Sequence, residues 1–504
     1  MRLGYAVSKI KSGNRIKTLT LSLIILLLLP VSGPAREMDD LRISYAVENQ
    51  LLSEQAVPAH LINVQTNEGI VTISGSVDNL LAKARAEKVA ETVKGVRSVI
   101  NKIVVKDIDR SDDAIEQDAN RALFEDPATE AYEIEVEIRG GKAILSGRVE
   151  SLQEKLLAEV VVRGIRGVTD IENNIEIFYK AVRADEEIEA DVRRRLESDV
   201  WVDDKLIQVE VNDGNVVLTG LVGSAAEYRA ARRDAWVNGT ESVNTDMLEI
   251  KWEITDDMQR HEKDIGLTDD EIGEAIETAF AYDPRVSLFD ITVSVNGNVA
   301  TLAGTVNNLK SRMAAEDDAR NTVGVRRVRN HIRVRPEVIP GNQELETRVV
   351  DALARDPYVD IFDIDVAALN GKVALQGEVH TSFEKQHAED VVQKVQGVVE
   401  IENMLEYQHV WTRKSDIEIS QDVEDRLYWH PFINSKQIEI EVDSGVVTLE
   451  GKVDSWLEYS AAEEEAYEAG AKDVRNKLLI SNLSMYELKE KLNETNRDFE
   501  SDWR

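Results

Sequence analysis

Six glycines, each inside an apolar, strand-like run, set the frame for the whole chain: Gly75, Gly147, Gly220, Gly304, Gly377 and Gly451. Twenty-four residues before each stands a large apolar residue (Leu51, Leu123, Leu196, Phe280, Leu353, Leu427). Eleven residues after each stands an alanine (Ala86, Ala158, Ala231, Ala315, Ala388, Ala462). Three positions held in register six times identify one module in tandem. A length of 504 residues alone would suggest three or four domains. Glycine-to-glycine steps of mostly 72 to 74 residues instead leave six units of roughly 65 to 70. Units that small bury only about 60% of the surface their unfolded chains expose, so neighbours are expected to dock and share stability.

Each unit opens with apolar residues at i, i+4 and i+8, as in Ile43/Val47/Leu51 and Ile272/Ile276/Phe280, which predicts a helix with one buried stripe. Thr268 with Glu271 and Ser415 with Glu418 fit capping boxes. Asp-Pro at 126–127, 283–284 and 356–357, and His430-Pro431, close the helix, because the residue before proline resists helical geometry. Period-two alternation follows, as in Ile207/Val209/Val211, then a glycine-containing turn, so two strands form a hairpin. The signature glycine lies on the second strand between inward-facing apolar positions, such as Leu302 and Val306 around Gly304. A bare position there implies close backbone approach. The alanine of the following helix is the expected partner, glycine against alanine. A second glycine (Gly95, Gly167, Gly239, Gly324, Gly397, Gly470) suits a left-handed helix end, and repeats three and six shorten the helix before it. A last strand holds one asparagine (Asn101, Asn173, Asn244, Asn330, Asn403, Asn476), read as a buried, backbone-bonding amide.

The first 35 residues read as an export signal. Arg2, Lys9, Lys11, Arg15 and Lys17 form a positive region, Leu19 to Leu29 an apolar run too short for a comfortable span, and Gly33-Pro34-Ala35 a small-residue cleavage site. Removing those five charges takes the formal charge from −35 to −40. Such acidity argues against general affinity for nucleic acid or anionic membranes, which need positive charge to displace counterions. Absence of cysteine excludes disulfides, thiolate metal sites and a cysteine-linked acyl anchor.

No catalytic pattern emerges. The seven histidines are scattered without a His-x₃-His or His-Glu-x-x-His pair, and no cofactor or metal is expected. Ser-Gly steps such as Ser74-Gly75 lie on a repeated strand, not in a nucleophile elbow. Weak divalent binding to the acidic surface remains open.

The order helix, strand, strand, helix, strand resembles the BON domain, named for bacterial OsmY and nodulation proteins. The resemblance rests on the helix stripe, a V-x-L-x-G-x-V strand, an A-x-x-x-A helix and a G-V-x-x-V-x-N ending. Repeat two shows it in Ala143 to Val149 and Gly167 to Asn173. It implies an α+β fold of six tandem αββαβ modules, each a three-stranded sheet packed by two helices. The spans are 38–107, 112–179, 185–252, 268–336, 341–408 and 415–481, with an acidic linker at 253–267 and a polar tail at 482–504. It also implies an exported or envelope protein without catalysis, associated with osmotic-stress protection, phospholipid binding and envelope integrity, and it transfers no site residue.

Two local features stand out. In repeat four, Arg327, Arg329, His331, Arg333 and Arg335 alternate with Val328, Asn330, Ile332 and Val334, which places the bases on one strand face. That repeat is close to neutral, while repeat three carries about eight more acids than bases. Pairing with an acidic neighbouring module and capture of anionic headgroups are both open. In repeat six, Tyr428, Trp429 and Phe432 crowd the loop after the first helix, either as a membrane-interface contact or as core cover. The leading expectation is a periplasmic or cell-surface binding and scaffolding protein, its partners phospholipid or envelope proteins, acting by multivalent contact. A self-assembling rod or ring, including a homo-oligomer, and a soluble chaperone-like protectant are the alternatives.

Overall fold

The computed structural model describes residues 39–126, 128–129, 133–179, 183–257, 267–407, 414–453 and 455–480. The export signal and the polar tail lie outside the described residues, as does most of the acidic linker. At its near end the linker forms a short 3₁₀ helix, Trp252–Asp257.

Six αββαβ modules are present. In module 1 the helix Asp40–Ser53 leads to strands Ile62–Asn67 and Ile70–Val77, the helix Leu80–Glu91 and the strand Ser98–Val105. In module 4 the same elements are Asp269–Tyr282, Ile291–Asn296, Val299–Val306, Leu309–Arg320 and Arg327–Val334. The strand bearing the signature glycine is central, antiparallel to the first strand and parallel to the last. Helix stripes reach the core as expected: Ile43, Val47 and Leu51, like Ile272 and Ile276, are almost fully buried. Both capping boxes form, and the helices end at Asp126, Asp283, Asp356 and His430. In module 3 the second helix shrinks to 10 residues (Ala225–Asp234). In module 6 it does not shorten. Trp456–Glu468 runs 13 residues, and the missing residue comes out of the turn that follows.

The glycine's neighbour differs from the expected one. A Cβ on Gly75 would stand 2.0 Å from the backbone oxygen of Leu61, the residue entering the first strand, and not against the helix. The same oxygen stands 2.1 Å away at Gly147 and Gly220, 2.0 Å at Gly377 and Gly451, and 2.8 Å at Gly304. Antiparallel pairing of Ile62 with Gly75 brings the entering chain across this spot, and φ of +135° at Gly75 turns the strand to admit it. Ala86, Ala158, Ala231, Ala315, Ala388 and Ala462 are small for another reason: all six are 0% exposed on the inner face of the second helix.

The asparagine is half-buried and staples helix to strand. Asn101 Nδ2 donates to Lys83 O (3.1 Å) and Glu87 Oε2 (3.0 Å), and its Oδ1 accepts from Ile103 N (3.1 Å). Asn173, Asn330, Asn403 and Asn476 repeat this. Asn244 is exposed and bonds Asp246 instead, where the module 3 ladder slips between Asn244 and Met247. A further repeated clasp links the first helix to the hairpin turn. The carboxylate of Asp40 accepts from Glu68 N (2.8 Å) and Gly69 N (3.0 Å), and Asp112, Asp185, Asp269 and Asp416 do likewise, with Asn342 in module 5.

The modules dock through two recurring contacts. In the first, the amide just before the second glycine donates to the last carbonyl of another module's first helix, a group with no partner inside its own helix. Lys94 N bonds Trp429 O (3.0 Å), Arg166 N bonds Arg355 O (2.8 Å) and Val323 N bonds Ser198 O (3.0 Å), joining modules 1 with 6, 2 with 5 and 4 with 3. In the second, the loop after a first helix meets the start of a second helix or the corresponding loop. Gln55 Oε1 accepts from Phe383 N (3.2 Å), Lys310 pairs with Asp126 (2.7 Å) and Trp201 lies 4.3 Å from Phe432. These join 1 with 5, 2 with 4 and 3 with 6. Taken together the contacts close a cycle, 1–6–3–4–2–5 and back to 1. The expected docking of neighbours is thus found, but mostly between modules distant in sequence. The apolar cores of modules 1 and 2 merge into one cluster.

Candidate functional site: the open sheet face of module 4

In module 4 the last strand is an edge strand, hydrogen-bonded only to the central one. Its odd-numbered positions turn outward: Arg329, His331 and Arg333 are exposed, while Ile332 is buried. Arg335 is exposed just past the strand, its amide bonded to Val306 O (2.7 Å), and Arg327 is half-buried at the strand's start. Register sets Thr301 beside Arg329, Ala303 beside His331 and Thr305 beside Arg333, with Ser294 and Thr292 on the first strand completing the rows. The face therefore presents hydroxyls and bases, with one carboxylate, Asp290, at its edge where the chain enters the first strand.

Modules 2 and 6 differ at this face. Module 2 sets Glu133, Glu135, Glu137, Glu172 and Glu176 outward, and module 6 sets Glu439, Glu441 and Asp443. Two lysines on those faces pair with cross-strand acids, Lys142 with Glu172 (2.7 Å) and Lys477 with Glu450 (2.7 Å). Arg329, Arg333 and Arg335 make no ion pair with a described residue, so pairing with an acidic neighbour does not account for them. Same-face residues along a strand stand about 7 Å apart, and each guanidinium offers a planar fork that suits carboxylate or phosphate oxygens.

The aromatic loop of module 6 is largely engaged in contacts between modules. Trp429 is 9% exposed at the junction with module 1, under the guanidinium of Arg42 (5.5 Å), and its carbonyl is the one that Lys94 N bonds. Phe432 is half-buried against Trp201 of module 3. Tyr428, 39% exposed, packs edge-on against Trp429 and carries the Lys94 ammonium over its ring (5.6 Å). These rings join modules, because a small domain has too little core to absorb them and a neighbour can. Sequence reasoning missed that role, and missed Arg166 and Lys310, since the partners lie in distant modules. It also passed over the aspartate of the turn clasp, although that residue stands in register thirty-five positions before every signature glycine, with asparagine at 342.

Among the described residues no group of three or more His, Asp or Glu is arranged to hold a metal ion, and no helix is long and apolar enough to cross a membrane. His387 is taken up by Asp356 (2.8 Å).

Six consecutive stretches of the chain match the BON domain: residues 39–107, 111–177, 184–251, 268–336, 342–409 and 415–482. Among characterised proteins the chain is similar to osmotically-inducible protein Y of Escherichia coli (strain K12), 30% identical over 146 residues, 28% of this chain and 73% of that protein. Among solved structures it is similar to CdsD, a structural protein of the type III secretion system of Chlamydia trachomatis. The match is 18% identical and covers 42% of this chain and 92% of the solved one, with a TM-score of 0.12, too low to carry an argument.

Proposed function

The chain belongs to the BON domain family, and on that premise we propose that it is a non-catalytic, exported protein that binds and scaffolds components of the cell envelope under osmotic or envelope stress. The observation that carries the reading is the base-lined sheet face of module 4, with a single acid at its edge, on a chain of net charge −35. Its chemistry suits anionic phospholipid headgroups. The rest of the molecule repels such a surface, so contact is confined to one side and is weak. The basic-then-apolar leader at 1–35 supports export, and the name of the Escherichia coli relative supports a role in osmotic response.

Vesicle flotation tests this. The full chain without residues 1–35 should float with anionic vesicles and not with neutral ones, and Arg329→Glu with Arg333→Glu should abolish flotation. Equal flotation of the double variant removes the reading. Calcium-dependent flotation that survives the double variant would move the contact to the acidic faces. Sedimentation velocity tests the structural alternative: a concentration-independent monomer would remove a self-assembling rod or ring.

A further inference from the structure

The junctions between modules 1 and 6 and between modules 2 and 5 are built from the same positions, so a difference between them is informative. At the 2–5 junction Asp351, on the first helix of module 5, meets Arg121, on the first helix of module 2, at 2.9 Å. Each stands two residues before the last buried leucine of its helix, Leu353 and Leu123. The residues in register at the 1–6 junction are Asp425, before Leu427, and Asn49, before Leu51. The acid is kept and its cation is gone.

In the place of that pair the 1–6 junction leaves an open cleft of about 300 Å³, lined by exposed Asn49, Asp425, Tyr45 and Leu52 together with buried Gln50 and Trp429. The other charges at its walls are accounted for. Lys414 is held by Asp422 (2.6 Å), and Arg426 is held by Glu465 (2.6 Å), Glu468 and Ser53. Arg42 lies over the Trp429 ring. Asp425, exposed to solvent, has no ion-pair partner among the described residues; partial burial and then the charge of Asp422 raise its carboxyl above the ordinary range, against the pull of Arg42. Gln50 supplies an independent sign. It is 8% exposed, and its amide, which makes no hydrogen bond with a described residue, is not sealed from the cleft. A carboxylate and an amide oxygen without partners, beside aromatic and aliphatic walls, form a receptor for a donor-bearing cation on an apolar stem.

We propose that this cleft binds a small organic cation, an alkylammonium or guanidinium compound, whose head replaces the missing arginine against Asp425. The head also donates to the Gln50 amide oxygen, and the stem lies along Tyr45 and Leu52. A volume at the small end of ligand sites limits the occupant to about the size of agmatine or a short polyamine. Because the walls come from the first and the last module, an occupant ties the two ends of the array together. The proposal is independent of the lipid reading, which concerns module 4.

Isothermal titration of the full chain with agmatine and spermidine, with inorganic phosphate as the anionic probe, tests it. One saturable site for a cation and none for phosphate is expected. Asp425→Asn should weaken binding at least tenfold. Asn49→Arg should install the 2–5 arrangement, abolish binding and raise the melting temperature. Glu439→Gln with Glu441→Gln, on a distant acidic face, should leave the affinity unchanged and so exclude diffuse attraction to an acidic chain. No saturable site for either cation, undiminished binding in Asn49→Arg, or an equal loss in Asp425→Asn and in the Glu439/Glu441 variant would overturn the proposal.

Discussion

In every hairpin the signature glycine faces a backbone oxygen 2.0–2.8 Å from where a Cβ would stand. The three junctions that share one backbone hydrogen bond surround it with three different chemistries. At 2–5 the Arg166 guanidinium caps Asp356 O and Val359 O, both at 2.8 Å, while Arg355 pairs with Glu125. At 3–4 Tyr282 donates to Asp191 (2.8 Å) and carries Arg195 over its ring. At 1–6 Trp429 and a cleft stand there. Inside a module the partner is main chain, which no substitution can alter, so one residue type serves all six. Between modules the partners are side chains, and any complementary set will do.

The largest effect should come from breaking the invariant contact. Gly147→Val puts a branched side chain onto Glu133 O at a φ of +133° and should cost on the order of 3 kcal/mol or more, measured by denaturant unfolding. A loss below about 1 kcal/mol would show that the hairpin yields as easily as a junction.

A junction should be costly only where it buries charge. Lys310 and Asp126, with side chains 11% and 4% exposed, form such a pair between modules 4 and 2. Lys310→Met strands the Asp126 carboxylate and should cost about 3–5 kcal/mol, and adding Asp126→Asn should restore part of it. Equal stability of the single and double variants would show that the carboxylate is relieved by other means.

A further effect is one of pH at the 3–4 junction. Burial first, then the charge of Asp234, push the Asp199 carboxyl up from 3.8 to about 7, against the opposing pull of Arg233. Asp234, though buried, is held low by Arg233 and Arg195, so the pair shares one proton. A carboxyl whose pKa folding raises lends stability below its unfolded value and loses it as pH climbs to the folded one. Melting temperature should therefore fall between about pH 4 and pH 7 on account of this group, and Asp199→Asn should flatten that slope. Asp318, also raised well above its ordinary range by burial and Asp283, keeps some slope in the variant.

Much of the module was legible in the chain because its contacts are local. Helix stripe, capping boxes, hairpin turn and the asparagine staple all join residues within one repeat, and six copies expose which positions cannot vary. The glycine's partner was misassigned because periodicity gives a residue's face but not which of two nearby backbones crosses it. The module 4 face was half legible. Alternation put Arg329 and Arg333 outward, but only the register showed hydroxyls beside them and a single acid, Asp290, at the edge.

Sequence alone determined the unit and its count, since a stripe at helical spacing, an alternating hairpin and a bare strand position follow from backbone geometry repeated along the chain. Which unit meets which was decided only in three dimensions. The end of each first helix must find a donor, and each half-buried aromatic a cover. In six similar units many partners could serve, so the cycle 1–6–3–4–2–5 follows from the packing of distant side chains, which no single repeat encodes.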